Sequence, residues 1–310
     1  MFSAHRRCML LRHFPLPALN QAQILHIRCG SNSSSKNYPY LVKAVQGSAK
    51  ERQPQYQRPT SDSHRYGEDS WFISSTPKAE VMGVADGVGG WRVKGIDAGI
   101  FAKELMSSCS SNAQRPEFDG RNPRQLLIDS FNQLKGKTTT LQGSSTACLV
   151  ALKRSDCTLH TANLGDSGFL VLRGGKVVHR SYGQHHGFNT PYQLAMPQDN
   201  KQRGGDEPEA AVATHMPLQE GDLVLTATDG LFDNMPESLL VRQLATAQGE
   251  TSSERLQLVA NKLVALAGNL SVSANFQSPF ALRARANNLN FGSGGKPDDI
   301  TIILASVAVP

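Results

Sequence analysis

From residue 71 onward, short runs of apolar and β-branched residues recur along the chain, each bounded by Gly, Pro, Asn, Asp or Ser. They lie at 71–74 (WFIS), 80–85 (EVMGVA), 146–152 (TACLVAL), 158–164 (TLHTANL), 168–173 (GFLVLR), 176–180 (KVVHR), 222–228 (DLVLTAT) and 300–308 (ITIILASVA). Their length and composition predict strands. Between them the apolar spacing turns helical. Asp97 is placed to cap a helix carrying Ile100, Phe101 and Leu105, and Asn122 with Pro123 to open one carrying Leu127, Phe131 and Leu134. A third is expected to start at Ser253, to carry Leu256, Val259, Leu263 and Val264, and to close at Gly268.

The RGGK stretch at 173–176 leaves no room for a helix between two strands, so it predicts a hairpin and antiparallel pairing. Helices follow groups of strands and do not alternate with single strands, which makes the fold class α+β, with sheets covered by helices. The polar stretches 198–210 and 269–292 are expected to run over the surface.

The composition is that of a globular protein: 310 residues, 39% hydrophobic and 19% charged. No apolar window approaches the roughly 18 residues of a membrane span, so no integral membrane segment is expected. A net charge of +6 suggests nucleic acid until its distribution is considered. Residues 1–50 hold seven Lys or Arg and no acid, which leaves about −1 for the remainder. The basic character belongs to the head, and no nucleic-acid groove is supported. That head is also rich in Ser, the pattern of an organellar presequence. Residues 1–40 are therefore read as a mitochondrial presequence, 41–64 as a polar linker and 65–308 as the folded domain. Five cysteines form no CxxC, and three lie beyond the head, which argues against a disulfide framework. Cys148, inside an apolar run, is expected to pack in the core.

Carboxylates mark the ends of these strands. Asp69 precedes one, Asp86 and Asp229 follow two others, Asp166 follows the run ending at Leu164, and Asp298 with Asp299 precedes the last. In antiparallel sheets the start of one strand lies beside the end of its neighbour, so these positions can share one rim. Two like charges 4 Å apart in a half-buried setting repel by about 4 kcal/mol. Few Lys or Arg sit within these motifs, so hard divalent cations are the expected counter-charge. Gly87 would let its carbonyl approach such an ion. Two ions about 3.5–4 Å apart favour in-line displacement at phosphorus by hydroxide held between them. Any one Asp-Gly pair can equally mark a turn.

The ordered set GED (67–69), VADGVGG (84–90), GSSTA (143–147), NLGDSG (163–168), TATDGLFD (226–233) and KPDDITI (296–302) resembles the metal-dependent type 2C (PPM) serine/threonine protein phosphatases over nearly all of 65–308. DGVGGW, ANLGDSGFLVLRGG, FNTPYQL and GLFDNMP are similar to the mitochondrial, Ptc-seven-type branch. The resemblance implies two packed antiparallel β-sheets flanked by helices, a four-layer αββα sandwich with two Mn2+ or Mg2+ ions at one edge. It implies that Asp86 bridges the ions, that Gly87, Asp229 and Asp298 complete the ligands, and that Glu68 and Asp69 act mainly through water. Asp166 matches the aspartate of a weaker third metal.

Two positions depart from the family. Val88 stands where a histidine often follows the first Asp-Gly. His64 stands where the phosphate-binding arginine usually lies, with Arg65 one place on. Asp86, Asp229 and Arg65 are taken as the catalytic set, with Arg92 the other arginine placed to hold phosphate. The expected activity is hydrolysis of phosphoserine and phosphothreonine in mitochondrial, matrix phosphoproteins, by a monomer. Two alternatives are a pseudophosphatase that binds partners without turnover and a small-molecule phosphate-ester hydrolase. His185 and His186 are expected to belong to a surface loop. GSGGK at 292–296 lacks the Ser or Thr and the frame of a nucleotide loop.

Overall fold

The predicted strands assemble into two five-stranded antiparallel sheets in the computed structural model of the chain, which describes residues 38–51, 65–137, 141–196 and 205–310. In chain order the elements are β1 (Tyr40–Ser48), β2 (Asp69–Ser75), β3 (Ala79–Asp86), α1 (Ala98–Ala113), α2 (Pro123–Lys137), β4 (Ser144–Ser145), β5 (Ala147–Lys153) and β6 (Thr158–Leu164). There follow β7 (Gly168–Arg173), β8 (Lys176–Arg180), β9 (His185–Gly187), β10 (Thr190–Pro191), β11 (Leu194–Ala195), β12 (Val212–Pro217) and β13 (Leu223–Ala227). The chain ends with α3 (Asp229–Phe232), α4 (Glu237–Leu244), α5 (Ser253–Ser271), α6 (Pro279–Ala286) and β14 (Ile300–Ala308).

One sheet has the order β1-β14-β13-β7-β8 and the other β12-β6-β5-β3-β2. Met82, Val84, Cys148, Val150, Phe169, Val224 and Ile303 fill the space between them. The outer face of the second sheet packs on α1 and α2 through Phe101, Leu105, Leu127 and Phe131, and that of the first packs on α5 through Leu256, Leu263 and Val264. The αββα layering follows directly. Strands β5 and β14 are buried almost end to end because both their faces are covered, which explains runs such as ITIILASVA that do not alternate.

All eight predicted strands and the β7–β8 hairpin are present. Helix α1 is capped by Asp97, whose side chain accepts from the Gly99 N–H. Asn122 Oδ1 likewise accepts from Gln125 at the start of α2.

Three expectations need correction. Residues 41–48 are not linker: they form edge strand β1, paired from Tyr40↔Ala308 to Ser48↔Ile300. Leu41 points into the space between the sheets, while Val42 and Ala44 join the α5 side, so a segment that looks merely mixed supplies two cores. Lys43 on this strand pairs with buried Glu80 of the other sheet, which also holds Arg154. The third predicted helix is capped by Ser252 and continues through Gly268 to Ser271. Finally, the stretch 269–292 includes α6, capped by Ser278 and buried through Phe280, Ala281 and Ala284. Within 198–210, only the single 3-10 turn Pro208–Ala210 is a described element.

The presequence reading of 1–40 lies outside the described residues up to 37, as does most of the linker, 52–64. Cys109 and Cys148 are buried and unbonded, and burial pushes the Cys109 thiol up to about 12, as befits packing residues. Among the described residues no helix is long and apolar enough to cross a membrane.

Candidate active site

Antiparallel pairing brings the strand-end carboxylates to one rim. Asp69 and Asp86 are register partners at the start of β2 and the end of β3. Asp166 lies between β6 and β7, Asp229 two residues past β13, and Asp298 and Asp299 just before β14. Their mutual influence shows in their acidities. Burial, then Asp229, Asp69, Asp298 and Asp166, hold the Asp86 carboxyl well above the ordinary aspartate range. Burial and Asp299 do the same to Asp69, and burial and Asp229 raise Asp166.

The GSSTA motif fixes the Asp86 turn. The Asp86 N–H donates to Thr146 Oγ1 at 3.1 Å, and the Thr146 N–H donates back to the Asp86 carbonyl at 3.0 Å. Val88 N–H reaches the Ser144 carbonyl at 2.9 Å, and Trp91 Nε1 reaches Ser144 Oγ at 2.6 Å. A Cβ at Gly87 would fall 2.7 Å from the Glu68 carbonyl oxygen and 2.8 Å from the Ala98 backbone, so only glycine lets these three segments meet. Thr228 holds the other side, donating to Asp69 Oδ2 at 2.8 Å and accepting from the Thr301 N–H at 2.9 Å.

The paired aspartates have different partners. Asp299 accepts from the backbone N–H of Lys50 at 2.8 Å and of Glu68 at 2.9 Å, which ties three chain segments together. Asp298 faces the ammonium groups of Lys50 and Lys296. Those two cations outweigh burial and draw the Asp298 carboxyl below the usual aspartate range.

These lysines revise the picture of a rim short of positive charge. Lys296 Nζ lies 2.5 Å from Asp229 Oδ2, 2.7 Å from Asp233 Oδ2 and 3.2 Å from Asp298 Oδ2. Burial works against its charge, but Asp229, Asp233 and Asp298 together hold the ammonium well above an ordinary lysine. Asp229, where burial exceeds the help from Lys296, is pushed up to about 6. Lys296, Lys50, Asp233, Asn234 and Thr228 are the site residues that sequence reasoning missed. Lys296 lies in the quoted KPDD motif, yet nothing in the sequence shows where its side chain turns.

The two arginines have different partners. Among the described residues, Arg65 bonds Gln46 on β1 and lies 5.9 Å from the centre of the Tyr66 ring. Arg92 reaches the rim, pairing with Glu68, which is only 3% exposed. His185 is part of the site edge, with Nε2 3.3 Å from Asp166 Oδ2. His186 turns elsewhere, to Asp206, and stacks on Tyr192.

Among the described residues, no three His, Cys, Asp or Glu side chains already converge on a single point. The donor set nevertheless suits a hard divalent ion. Among the described residues, Asp69 Oδ1, Asp166 Oδ1 and Asp229 Oδ1 are buried oxygens that find no hydrogen-bond partner, which is costly unless a cation takes them. The side chains of Asp86, Asp229 and Asp298, with the Gly87 carbonyl, are oxygen donors of the kind such an ion would take. Glu68, Asp69 and Asp166 lie beside them.

Residues 77–308 match the family model described as Stage II sporulation protein E (SpoIIE). The chain is 65% identical over 285 residues to a protein from Drosophila virilis named protein phosphatase PTC7 homolog fig, covering 90% of each. Among solved structures, the photosystem II phosphatase PBCP superposes with a TM-score of 0.72 at 28% identity, covering 87% of this chain and 99% of that one. The catalytic domain of the serine threonine protein phosphatase PstP, in complex with 2 manganese ions, shares the fold at a TM-score of 0.50 and 16% identity, covering 87% of this chain and 99% of that one.

Proposed function

Since the chain belongs to the SpoIIE/PP2C-type protein serine/threonine phosphatases, with the PTC7 homologues among its relatives, we propose that it hydrolyses phosphoserine and phosphothreonine in mitochondrial proteins with two Mn2+ or Mg2+ ions. The observation that carries this reading is the shared rim of Asp69, Asp86, Asp166, Asp229 and Asp298, where three buried carboxylate oxygens find no hydrogen-bond partner among the described residues. Asp86, the Gly87 carbonyl, Asp229 and Asp298 are the proposed ion ligands. Glu68 and Asp69 contribute through water, and Asp166 holds a weaker third ion. Divalent ions bound there acidify water and neutralise phosphoryl charge.

The chain's own residues set the geometry. Thr146 and Thr228 orient Asp86 and Asp69, and Asp299 stays a structural acceptor. Arg92 replaces Arg65 as the proposed phosphate holder, since its guanidinium already reaches the rim through Glu68. With Val88 in place of the family's histidine, water is left to protonate the departing alkoxide. The pseudophosphatase alternative predicts lost metal carboxylates, and every one is present. The catalytic domain is proposed to comprise 65–308 completed by β1.

Chelation followed by dialysis is expected to abolish hydrolysis of phosphothreonine peptides, and added Mn2+ or Mg2+ to restore it. Full activity after exhaustive chelation would refute the reading. Residues 1–40, basic and acid-free, are proposed to direct import. Fused to a fluorescent reporter, they are expected to deliver it to mitochondria with trimming. An untrimmed cytosolic reporter would contradict this.

A further inference from the structure

Lys296 is held at both ends. Its backbone N–H donates to Asn234 Oδ1 at 2.8 Å, and its carbonyl accepts from Asn234 Nδ2 at 2.8 Å, so the main chain is pinned. At the other end the ammonium touches Asp229, Asp233 and Asp298. Two of these are proposed ion ligands. The third, Asp233, is outside that set, is 4% exposed and also holds Arg283. The Phe280 ring packs over the ammonium, 5.3 Å from its centre.

Lys296 holds Asp229 Oδ2 and leaves Oδ1 to an ion, so the ammonium and a divalent ion would meet on one buried carboxylate, where their mutual repulsion is strong. Resting on the metal-dependent reading above, we propose that Lys296 is a built-in competitor for Asp229 and Asp298, holding these carboxylates together and setting how tightly a divalent ion binds. Asp233 is the feature that makes this workable. A lysine bonded only to ligand carboxylates would be stranded when an ion took them, whereas Asp233, which lies outside the ligand set and gives Oδ2 to Lys296 and Oδ1 to Arg283, still holds it. Lys50, whose ammonium bonds Asp298 at 2.5 Å, has a smaller share of the same role.

The test compares Mn2+ binding by calorimetry, and melting after chelation, for wild type, K296M and K296R. K296M is expected to bind Mn2+ about tenfold tighter or more, and to melt at a lower temperature once chelated, because the carboxylates lose their internal cation. K296R keeps the charge and is expected to stay within about threefold of wild type in Mn2+ affinity. Unchanged or weaker Mn2+ binding by K296M overturns the proposal, since a lysine that merely positioned the ligands would weaken binding when removed. Should K296M fail to fold without metal, K296Q, which keeps an N–H donor for Asp229, carries the same affinity expectation and the same refutation. A wild-type protein that takes up no Mn2+ overturns the metal reading itself, a result distinct from a changed order among the variants.

Discussion

Asp86→Asn is expected to lower phosphopeptide turnover by at least about 100-fold while raising the melting temperature of the chelated protein. The two effects share one cause. Asp86 is desolvated and faces Asp229, Asp69, Asp298 and Asp166, so its carboxyl is held well above the usual range. A carboxyl whose folded pKa lies above its unfolded value stabilises most at low pH, and that contribution is lost as pH rises through the folded value. At neutral pH, where the unfolded chain holds Asp86 ionised, the raised folded value therefore costs stability, and asparagine of the same shape removes the cost together with a carboxylate that would hold an ion. The gain over wild type is expected to grow between about pH 4 and neutral, and thermal melts of both proteins across that range check it. An aspartate that merely shaped the turn would behave oppositely, losing stability and sparing turnover.

Gly230→Ala is expected to cost about 3 kcal/mol of stability and most of the activity. A Cβ there would fall 2.1 Å from the Asp299 carbonyl oxygen and 3.0 Å from Ile300 Cγ1. The first of these is backbone and cannot swing aside, so α3 and the start of β14 would have to separate. That contact is what sets Asp229 beside Asp298. Urea unfolding measures the loss, and Gly268→Ala serves as the control. Gly268 lies inside α5, and beyond its own helix backbone no described atom comes within 4 Å of the added carbon, so alanine there is expected to stabilise by about 0.5–1 kcal/mol. A Gly230→Ala protein as stable as wild type would show that the close approach is not needed.

The parts legible in the sequence were those written locally. Buried strands such as β5 and β14 announce themselves because both faces are apolar, and Asp97 and Asn122 announce helix starts through their own side-chain chemistry. Strand β1 was missed because its meaning is nonlocal. Lys43 and Gln46 interrupt it, and its pairing partner, residues 300–308, lies at the far end of the chain. Edge strand β12, largely exposed, and the short basic helix α6 were hidden for similar reasons. In the site, the carboxylates could be grouped because strand ends in antiparallel sheets must alternate. Their cations could not. Lys50 is 248 residues from Asp298, and Arg65 and Arg92 are told apart only by where the chain turns after β3.

The central claim is that these strand-end carboxylates bind the divalent ions on which phosphatase activity depends. Counting Mn2+ bound per chain by the chelated protein, while following phosphothreonine-peptide turnover in the same titration, tests it most directly. Two ions per chain, with turnover rising as they bind and both signals collapsing in Asp86→Asn, is the predicted result. Turnover that proceeds with no Mn2+ or Mg2+ bound, or ion binding that survives unchanged in Asp86→Asn, would contradict it.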